Sequence, residues 1–379
     1  MNAGHFDAIV IGLGGMGSAT ACELARRGVR VLGLEQFKPV HDRGSSHGQT
    51  RIIRTAYYEH PSYVPLIRRA FERWYDLEQR SGAKLLSECG CLTIGTAASE
   101  VRRGVLASAA QHHLAVERFE AAELRKRFSA FHFGDEYGGV LEQEAGFLYV
   151  EECVKAHIES AVRLGAELRF NEPVQSWKAA GSGVEVATDR DRYVADRLII
   201  TAGPWAGQLL GHFGGKLTVM RQAPHWFKTK NDRHFRRDQF PLYIADVPEG
   251  FFYGFPVIDS FGHKVARHYG AKELPSVDPI NRETGPEDER PIRQFLNQHL
   301  PEAAGPVTRA QTCIYTLTPD RHFILDRHPE HEQVAVAAGF SGHGFKFTPV
   351  VGEIMADLAM NGRTDQPIEM FRIDRFAKV

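Results

Sequence analysis

Gly12-Leu-Gly14-Gly-Met-Gly17 fits the spacing GxGxxG. In a strand–turn–helix setting the first glycine permits a tight turn and the second lets a pyrophosphate reach the backbone. The third lets helix and strand pack closely. The free N–H groups and helix dipole of such a turn favour phosphate. Glu35 follows 23 residues after Gly12. A carboxylate there can accept both ribose hydroxyl hydrogens and would repel a 2′-phosphate, which disfavours NADP. The fingerprint by itself leaves FAD and NAD open, as well as a plain strand–helix corner.

Further along, Gly44-Ser-Ser-His-Gly-Gln-Thr-Arg51-Ile-Ile-Arg54 is a compact polar cluster between apolar segments. Arg51 and Arg54 would lie together on a helical turn and face apart on a strand. Either can serve an anionic substrate or a redox cofactor, or be a solvated surface cation. Lys264 and His268 are four apart in strand-like material, so spacing does not bring them together. Tyr253 precedes Gly254 in an aromatic strand and reads equally as a core tyrosine. Ser341-Gly342-His-Gly344-Phe-Lys346-Phe347 offers two glycines for close approach to a flat ligand, a cation, and a following helix dipole. His343 also fits a structural turn. No His/Cys/Asp/Glu grouping has convincing metal-site spacing, and no local pattern supports a serine triad.

The elements needed to position these residues can be read around them. Residues 7–12 read as a buried parallel strand, 16–27 as a helix and 29–35 as the next strand, a right-handed βαβ unit. Residues 63–80 carry apolar positions at helix spacing. Short strand-like pieces follow at 84–95 and 114–119. A helix over 151–164 closes at Gly165, and 193–203 returns as a strand ending in Thr-Ala-Gly203. That ending suits a backbone passing under a dinucleotide, or an ordinary turn. The pieces HWFK, PLYIADV, FFYGFPV and HKVARHY between 215 and 310 predict antiparallel strands. Residues 334–360 predict strand, glycine loop, helix, and the polar end 361–379 is expected on the surface. The fold class is therefore α/β: a Rossmann-like domain plus a discontinuous, mainly antiparallel-sheet domain. The expected division is 1–80, 142–214 and 315–379 for the first, 81–141 and 215–314 for the second.

Composition narrows the function classes. Lys plus Arg number 46 and Asp plus Glu 47, which argues against a general polyanion binder and gives no support for nucleic acid. Five cysteines form no dense framework, and Cys89 and Cys91 have the wrong gap for a zinc knuckle, so a reducing, cytoplasmic setting is expected. On local features Cys313 is a small core residue. The N-terminus reads as strand into helix rather than a secretion signal, and no apolar run is long enough to span a membrane.

Taken together, the N-terminal fingerprint, GSSHGQTRIIR (44–54), FYGFP (252–256), KVARHYG (264–270), TCIYTLTPDRHFILDRHPEH (312–331) and SGHGFKF (341–347) resemble the monomeric sarcosine oxidase and N-methyltryptophan oxidase family, among the glycine/D-amino-acid-oxidase-like flavoproteins. The resemblance spans nearly the whole chain. It implies FAD attached through its 8α position to Cys313. It implies cofactor contacts at Gly12, Gly14, Gly17, Glu35, Ser45, Thr50, Val174, Gly203, Gly342, Gly344 and Lys346. Arg54 and Lys346 would clamp a substrate carboxylate, with Tyr315 nearby. Tyr253 and His268 would line and polarise the pocket. Lys264 would support oxygen activation, and Arg51 would tune the same field.

The implied reaction oxidises the secondary amine of a sarcosine-like N-methyl amino acid. Oxygen is the final acceptor, and the products are an imine, then amine plus aldehyde, and hydrogen peroxide. Partners are expected to be the amino acid and O2 alone, with no nucleic acid, membrane or obligate protein partner, and the protein a cytoplasmic monomer. Two residues depart from the family pattern: Gln49 stands where Asp is usual and Ser46 where His is common. Both changes resemble pipecolate and peroxisomal sarcosine oxidases, so a cyclic or bulkier amino acid is the alternative substrate. The terminal Ala-Lys-Val lacks the Ser-Lys-Leu peroxisomal address. An NAD-dependent dehydrogenase and a non-catalytic FAD-binding protein are the remaining alternatives.

Overall fold

The N-terminal run FDAIVI folds as the strand Phe6–Ile11, and Ala8, Ile9 and Val10 are fully buried. A strand buried on both faces belongs inside a parallel sheet. It lies between Val31–Leu34 and Arg192–Ile200, both parallel to it. Glu167–Arg169 and His331–Ala338 extend the parallel order on either side. The hairpin strands Val174–Ala180 and Gly183–Thr188, and the strand Ile324–His328, join antiparallel. The structure, a computed structural model, describes residues 4–376. The terminal Ala-Lys-Val lies outside the described residues.

Helices cover this sheet. Gly15–Arg26 packs against Val150–Arg163 and Thr348–Asn361. Tyr63–Ser81 packs on Thr348–Asn361 and buries Tyr63, Leu66, Ile67, Ala70, Trp74 and Leu77 of its apolar period, while Phe71 at the same spacing is only partly buried. It ends at Gly82, whose φ of 70° is left-handed.

The second large sheet has eight strands in the order 307–310, 225–227, 263–267, 250–254, 242–247, 91–96, 137–142, 117–119. All its pairings are antiparallel except Leu242–Val247 with Cys91–Thr96, which is parallel. The sheet is thus mainly antiparallel, as expected, with its one parallel junction where the distant segment Cys91–Thr96 is recruited. Two three-stranded sheets complete the fold: Thr50–Ile53 with Gly146–Tyr149 and Leu86–Glu88, and Thr218–Gln222 with Cys313–Leu317 and Glu273–Leu274. The boundary expected at 314/315 falls inside the strand Cys313–Leu317.

Among the described residues, three α-helices longer than four residues lie outside the sequence expectation: Glu100–His112, Ala121–Arg127 and Pro286–His299. The first is capped by the Ser99 hydroxyl, which accepts from Arg102 N–H at 3.1 Å. The third starts with proline, and the Asp288 carboxylate accepts the Gly285 N–H at 3.0 Å. The tail also departs from a purely surface role: Phe371, Ile373 and Phe376 are buried, and Phe371 packs against Tyr63 at 5.1 Å. Among the described residues no helix is long and apolar enough to cross a membrane.

Candidate active site

The glycine turn is built as its spacing requires. Gly12 has φ +85°, and a side chain there would meet Thr201 O at 2.7 Å. A Cβ on Gly17 would lie 1.7 Å from Gly12 O, so only glycine allows this helix to leave the strand so steeply. Gly14 differs: the nearest atom to an added Cβ is Ser46 Oγ, at 3.6 Å. The protein's own packing leaves that face of Gly14 open, toward a cavity. The helix has no cap of its own; Gly15 N–H donates instead to Ser46 Oγ at 3.0 Å.

Glu35 is already at work in the protein. Its two oxygens accept Leu13 N–H at 2.9 Å and Phe37 N–H at 3.0 Å, stapling the two turns beside the cavity. Each carboxylate oxygen keeps lone-pair capacity for ribose hydroxyls.

One continuous cavity of about 1860 Å³, including its part open to solvent, runs from this turn to the second large sheet. From the dinucleotide side Gly12, Gly14, Glu35, Val174 and Gly203 line it. Ser45, Arg51, Gly342 and Gly344 form its middle wall, and Arg54, Tyr253, His268, Tyr315 and Lys346 its far end. Gly17, Thr50, Lys264 and Cys313 do not line it. Gly17 is packed under the turn, and Thr50, Lys264 and Cys313 lie behind the wall. Gln49 is also outside the lining, whereas Ser46 is part of it.

Both arginines of the 44–54 cluster reach the cavity. Thr50–Ile53 is a strand, on which positions three apart face opposite ways. The strand stops at Ile53, and the chain turns at Arg54 to bring its guanidinium back to the same space. Arg51 donates to Ser45 O at 2.7 Å, to Thr50 O at 2.8 Å and to Cys313 Sγ at 3.2 Å. Arg54 is 3% exposed and tied to Glu59 at 2.8 Å and to Ala56 O at 2.8 Å. Burial resists ionisation of Glu59, but Arg54, then His343 and Lys346, hold its carboxyl down to about 2. The Arg54 and Lys346 cations both sit over the ring of Tyr57, at 4.4 and 5.2 Å from its centroid. Lys346 Nζ donates to His343 O at 2.7 Å, and burial followed by the Arg54 charge lowers its pKa to about 7.

On the opposite wall Tyr315 OH shares a 3.1 Å hydrogen bond with His268 Nδ1, and the His268 ring meets that of Tyr253 edge-on, 6.1 Å between centroids. Burial drops His268 to about 3, so its ring is neutral near pH 7. Ile52, Ile244, Phe251 and Phe255 make the adjoining surface apolar.

Lys264 lies on the strand His263–Arg267 and is 2% exposed. Its Nζ donates to Gly48 O at 2.6 Å, Thr50 O at 2.9 Å and Thr50 Oγ1 at 3.1 Å. Burial, then Arg51, pushes its pKa well below the usual lysine range.

Glu59, Tyr57, His47, Glu151 and Gln49 were not singled out as site groups by sequence reasoning, although Gln49 was noted as a departure. Gln49 Oε1 accepts from Trp226 Nε1 at 2.7 Å, and its amide also bonds Asp259. His47 shares hydrogen bonds with Gly44 O at 3.1 Å and Gln311 at 2.9 Å. An acid five residues after Arg54 is the sole local sign of Glu59. One metal-capable grouping does exist away from the cavity: His328, Glu330 and His331 bring ligand atoms within 4.8 Å across a hairpin turn. Its Glu330 N–H already donates to His328 Nδ1 at 3.2 Å.

The residues around the cavity fit FAD: an open glycine face, a ribose-side carboxylate and a cationic middle wall lie along one continuous space. The family profile described as "FAD dependent oxidoreductase" matches residues 7–358. Monomeric sarcosine oxidase of Streptomyces avermitilis is 43% identical over 377 residues, covering 98% of each chain. N-methyl-L-tryptophan oxidase of Yersinia pestis is 34% identical, covering 98% of this chain and 99% of its own. Among solved structures, the open form of NikD, an amino acid oxidase essential for nikkomycin biosynthesis, aligns with a TM-score of 0.86 at 26% identity, covering 97% of each chain. With the profile matched over nearly its whole length, this chain belongs to the FAD-dependent oxidoreductase family, among its sarcosine oxidase-like amine oxidases.

Proposed function

We propose that this flavin-dependent amine oxidase acts on the CH–NH group of a small N-methyl amino acid of the sarcosine type. Oxygen is the acceptor, and the products are imine, then amine plus aldehyde, and hydrogen peroxide. The observation that carries the reading is the convergence of Arg54 and Lys346 over one tyrosine ring, at the apolar end of the cavity. Bound FAD supplies the two-electron acceptor that no side chain provides.

The chain's own groups then have separable tasks. Arg54 offers a directional fork and Lys346 a point charge to the carboxylate. Glu59 holds Arg54 in place until the substrate carboxylate competes for it. Ile244, Phe251 and Phe255 exclude water around the N-alkyl group. Neutral His268 holds Tyr315 by a hydrogen bond and packs edge-on against Tyr253, so this wall orients without adding charge. Gly14, Glu35, Ser45, Thr50, Val174, Gly203, Gly342 and Gly344 serve the cofactor directly or through their neighbours. Arg51 and Lys264 supply positive charge on the oxygen-reacting side.

Attachment of FAD at Cys313 belongs to the same proposal. It is supported by Arg51, a cavity residue, donating to the sulfur at 3.2 Å. A thioether from Sγ to the 8α carbon releases two electrons and two protons, which oxygen takes up as peroxide. Yellow colour retained on the acid-denatured polypeptide is expected; complete release of flavin sinks the attachment alone. A cytoplasmic monomer completes the reading, in keeping with five free cysteines.

The test of function is anaerobic bleaching with sarcosine, N-methylalanine, N-methyltryptophan, proline, pipecolate and fructosyl amino acids. Fast bleaching by the small N-methyl amino acids is expected. Bleaching by cyclic amino acids only would assign the alternative substrate class, and a flavin inert to the whole panel would defeat the amine-oxidase reading.

A further inference from the structure

Gly48 and Gln49 both adopt left-handed backbone, with φ of 89° and 75°. For Gln49 that conformation is uphill and persists only where its surroundings enforce it. The enforcing group is a carboxylate about a hundred residues away in sequence. Glu151 Oε1 accepts Gly48 N–H at 2.7 Å, and both its oxygens accept Gln49 N–H at 3.1 Å. Two consecutive amides converging on one anion form a nest. On the other side of the same turn, the carbonyls of Gly48 and Thr50 point at Lys264 Nζ, at 2.6 and 2.9 Å.

We propose that Glu151 is the positioning residue for Lys264: by gripping the amides of the 48–49 turn it aims the turn's carbonyls at the lysine ammonium and balances its buried charge. This rests on the reading of Lys264 as the cation that supports reaction with oxygen. Glu151 stands in the first turn of Val150–Arg163, on the dinucleotide side, while Lys264 belongs to the second large sheet. One carboxylate thereby registers the oxygen-side cation against the layer that holds the cofactor. A helix-dipole role alone would leave Glu151 on its own helix, whereas its oxygens are spent on a separate segment.

The charged and titratable groups around Lys264 come from four elements. Arg51 and Arg309 disfavour its protonated form, and Glu151 and Cys313 favour it. The rings of Phe255 and Trp226 lie 4.8 and 5.3 Å from Nζ. Removing the Glu151 charge therefore lets the lysine lose its proton at lower pH.

The experiment uses the holoenzyme carrying Glu151→Ala, Glu151→Gln, Lys264→Met or both Glu151→Ala and Lys264→Met. Reoxidation of the substrate-reduced enzyme by oxygen is followed over a pH series beside the anaerobic reduction rate. Amide hydrogen exchange is measured at Gly48 and Gln49. Glu151→Ala should slow reoxidation roughly tenfold, spare reduction, and speed exchange at both amides. Glu151→Gln, which keeps an acceptor oxygen, should retain much of the amide protection. Its reoxidation should fail at lower pH than in the parent. Adding Glu151→Ala to Lys264→Met should cost nothing further. The inference is overturned if Lys264→Met slows reoxidation while the Glu151 variants keep the parental rate and pH profile. Unchanged amide exchange in Glu151→Ala, or equal losses with and without Lys264, also overturns it. Normal reoxidation in Lys264→Met identifies a different failure, that of the oxygen role itself, and takes the inference with it.

Discussion

Lys264 and Lys346 are both almost fully buried, at 2% and 5% exposure, and burial lowers the pKa of both. Their surroundings nevertheless suit opposite uses. An ammonium has three donors and no acceptor. At Lys264 three oxygens take them, all within 3.1 Å, and the side chain lies behind the cavity wall. At Lys346 one carbonyl is at 2.7 Å and the Tyr57 hydroxyl at a long 3.4 Å, and the side chain lines the cavity. Lys264 is saturated and can act only through its field. Lys346 has hydrogen-bonding capacity left for a ligand. The number of satisfied donors, more than burial or charge, separates a lysine that tunes a site from one that binds in it.

The widest split between the two is expected from Lys264→Met. Loss of an oriented charge in a dry site costs about 10²–10³ in rate. That loss should fall on reoxidation by oxygen, with anaerobic reduction and carboxylate affinity nearly parental in stopped-flow and titration measurements. Equal loss in both half-reactions would erase the distinction between field and ligand.

Lys346 should show itself through pH instead. A carboxylate ligand without an amine, such as methoxyacetate, prefers the charged lysine. Affinity should therefore be flat at low pH. It should weaken roughly tenfold per pH unit as pH rises above the free-protein pKa of about 7, until the higher pKa of the complex is reached. Lys346→Met should bind the ligand more weakly at low pH and lose that slope, read by perturbation of the flavin spectrum. A slope that survives the substitution would move the titration to another group. Arg54 cannot be that group, because it keeps its proton throughout.

Much of this arrangement is legible in the sequence where it is local. The GxGxxG turn follows from glycine spacing, and the helix Tyr63–Ser81 from an apolar period whose positions are buried except for the partly buried Phe71. The cavity gathers Arg51, Arg54, Tyr253, His268, Tyr315 and Lys346 from separate motifs, and leaves Lys264 and Cys313 of the same motifs outside its lining. What stayed hidden is set by topology. Glu151 meets residues 48–49, and Gln49 meets Trp226 and Asp259, across sequence gaps that no period encodes. Alternation along a strand sends Arg51 and Arg54 apart, and only the end of the strand at Ile53 reunites them. The unexpected helix Pro286–His299 carried a legible start, proline after Gly285 and Asp288 three residues on. The departures Gln49 and Ser46, read first as marks of substrate choice, sit beside the Lys264 turn and the dinucleotide helix. Their contacts bear on cofactor and cation placement before they bear on substrate.

The smallest expected effect tests the saturation argument most closely. Thr50→Val keeps the β-branched shape of a strand residue and both carbonyls that hold Lys264, and removes only the acceptor at 3.1 Å. One hydrogen bond of this kind is worth about 0.5–1.5 kcal/mol, so reoxidation should slow by roughly 2–10-fold, with reduction unchanged. The freed donor has no cavity to point into, so carboxylate affinity should stay parental. Tyr57→Phe removes the single side-chain acceptor of Lys346 and should instead alter carboxylate affinity, leaving reoxidation alone. If Thr50→Val changed carboxylate binding, Lys264 would have a donor directed at the ligand, and the two lysines would differ in degree rather than in kind.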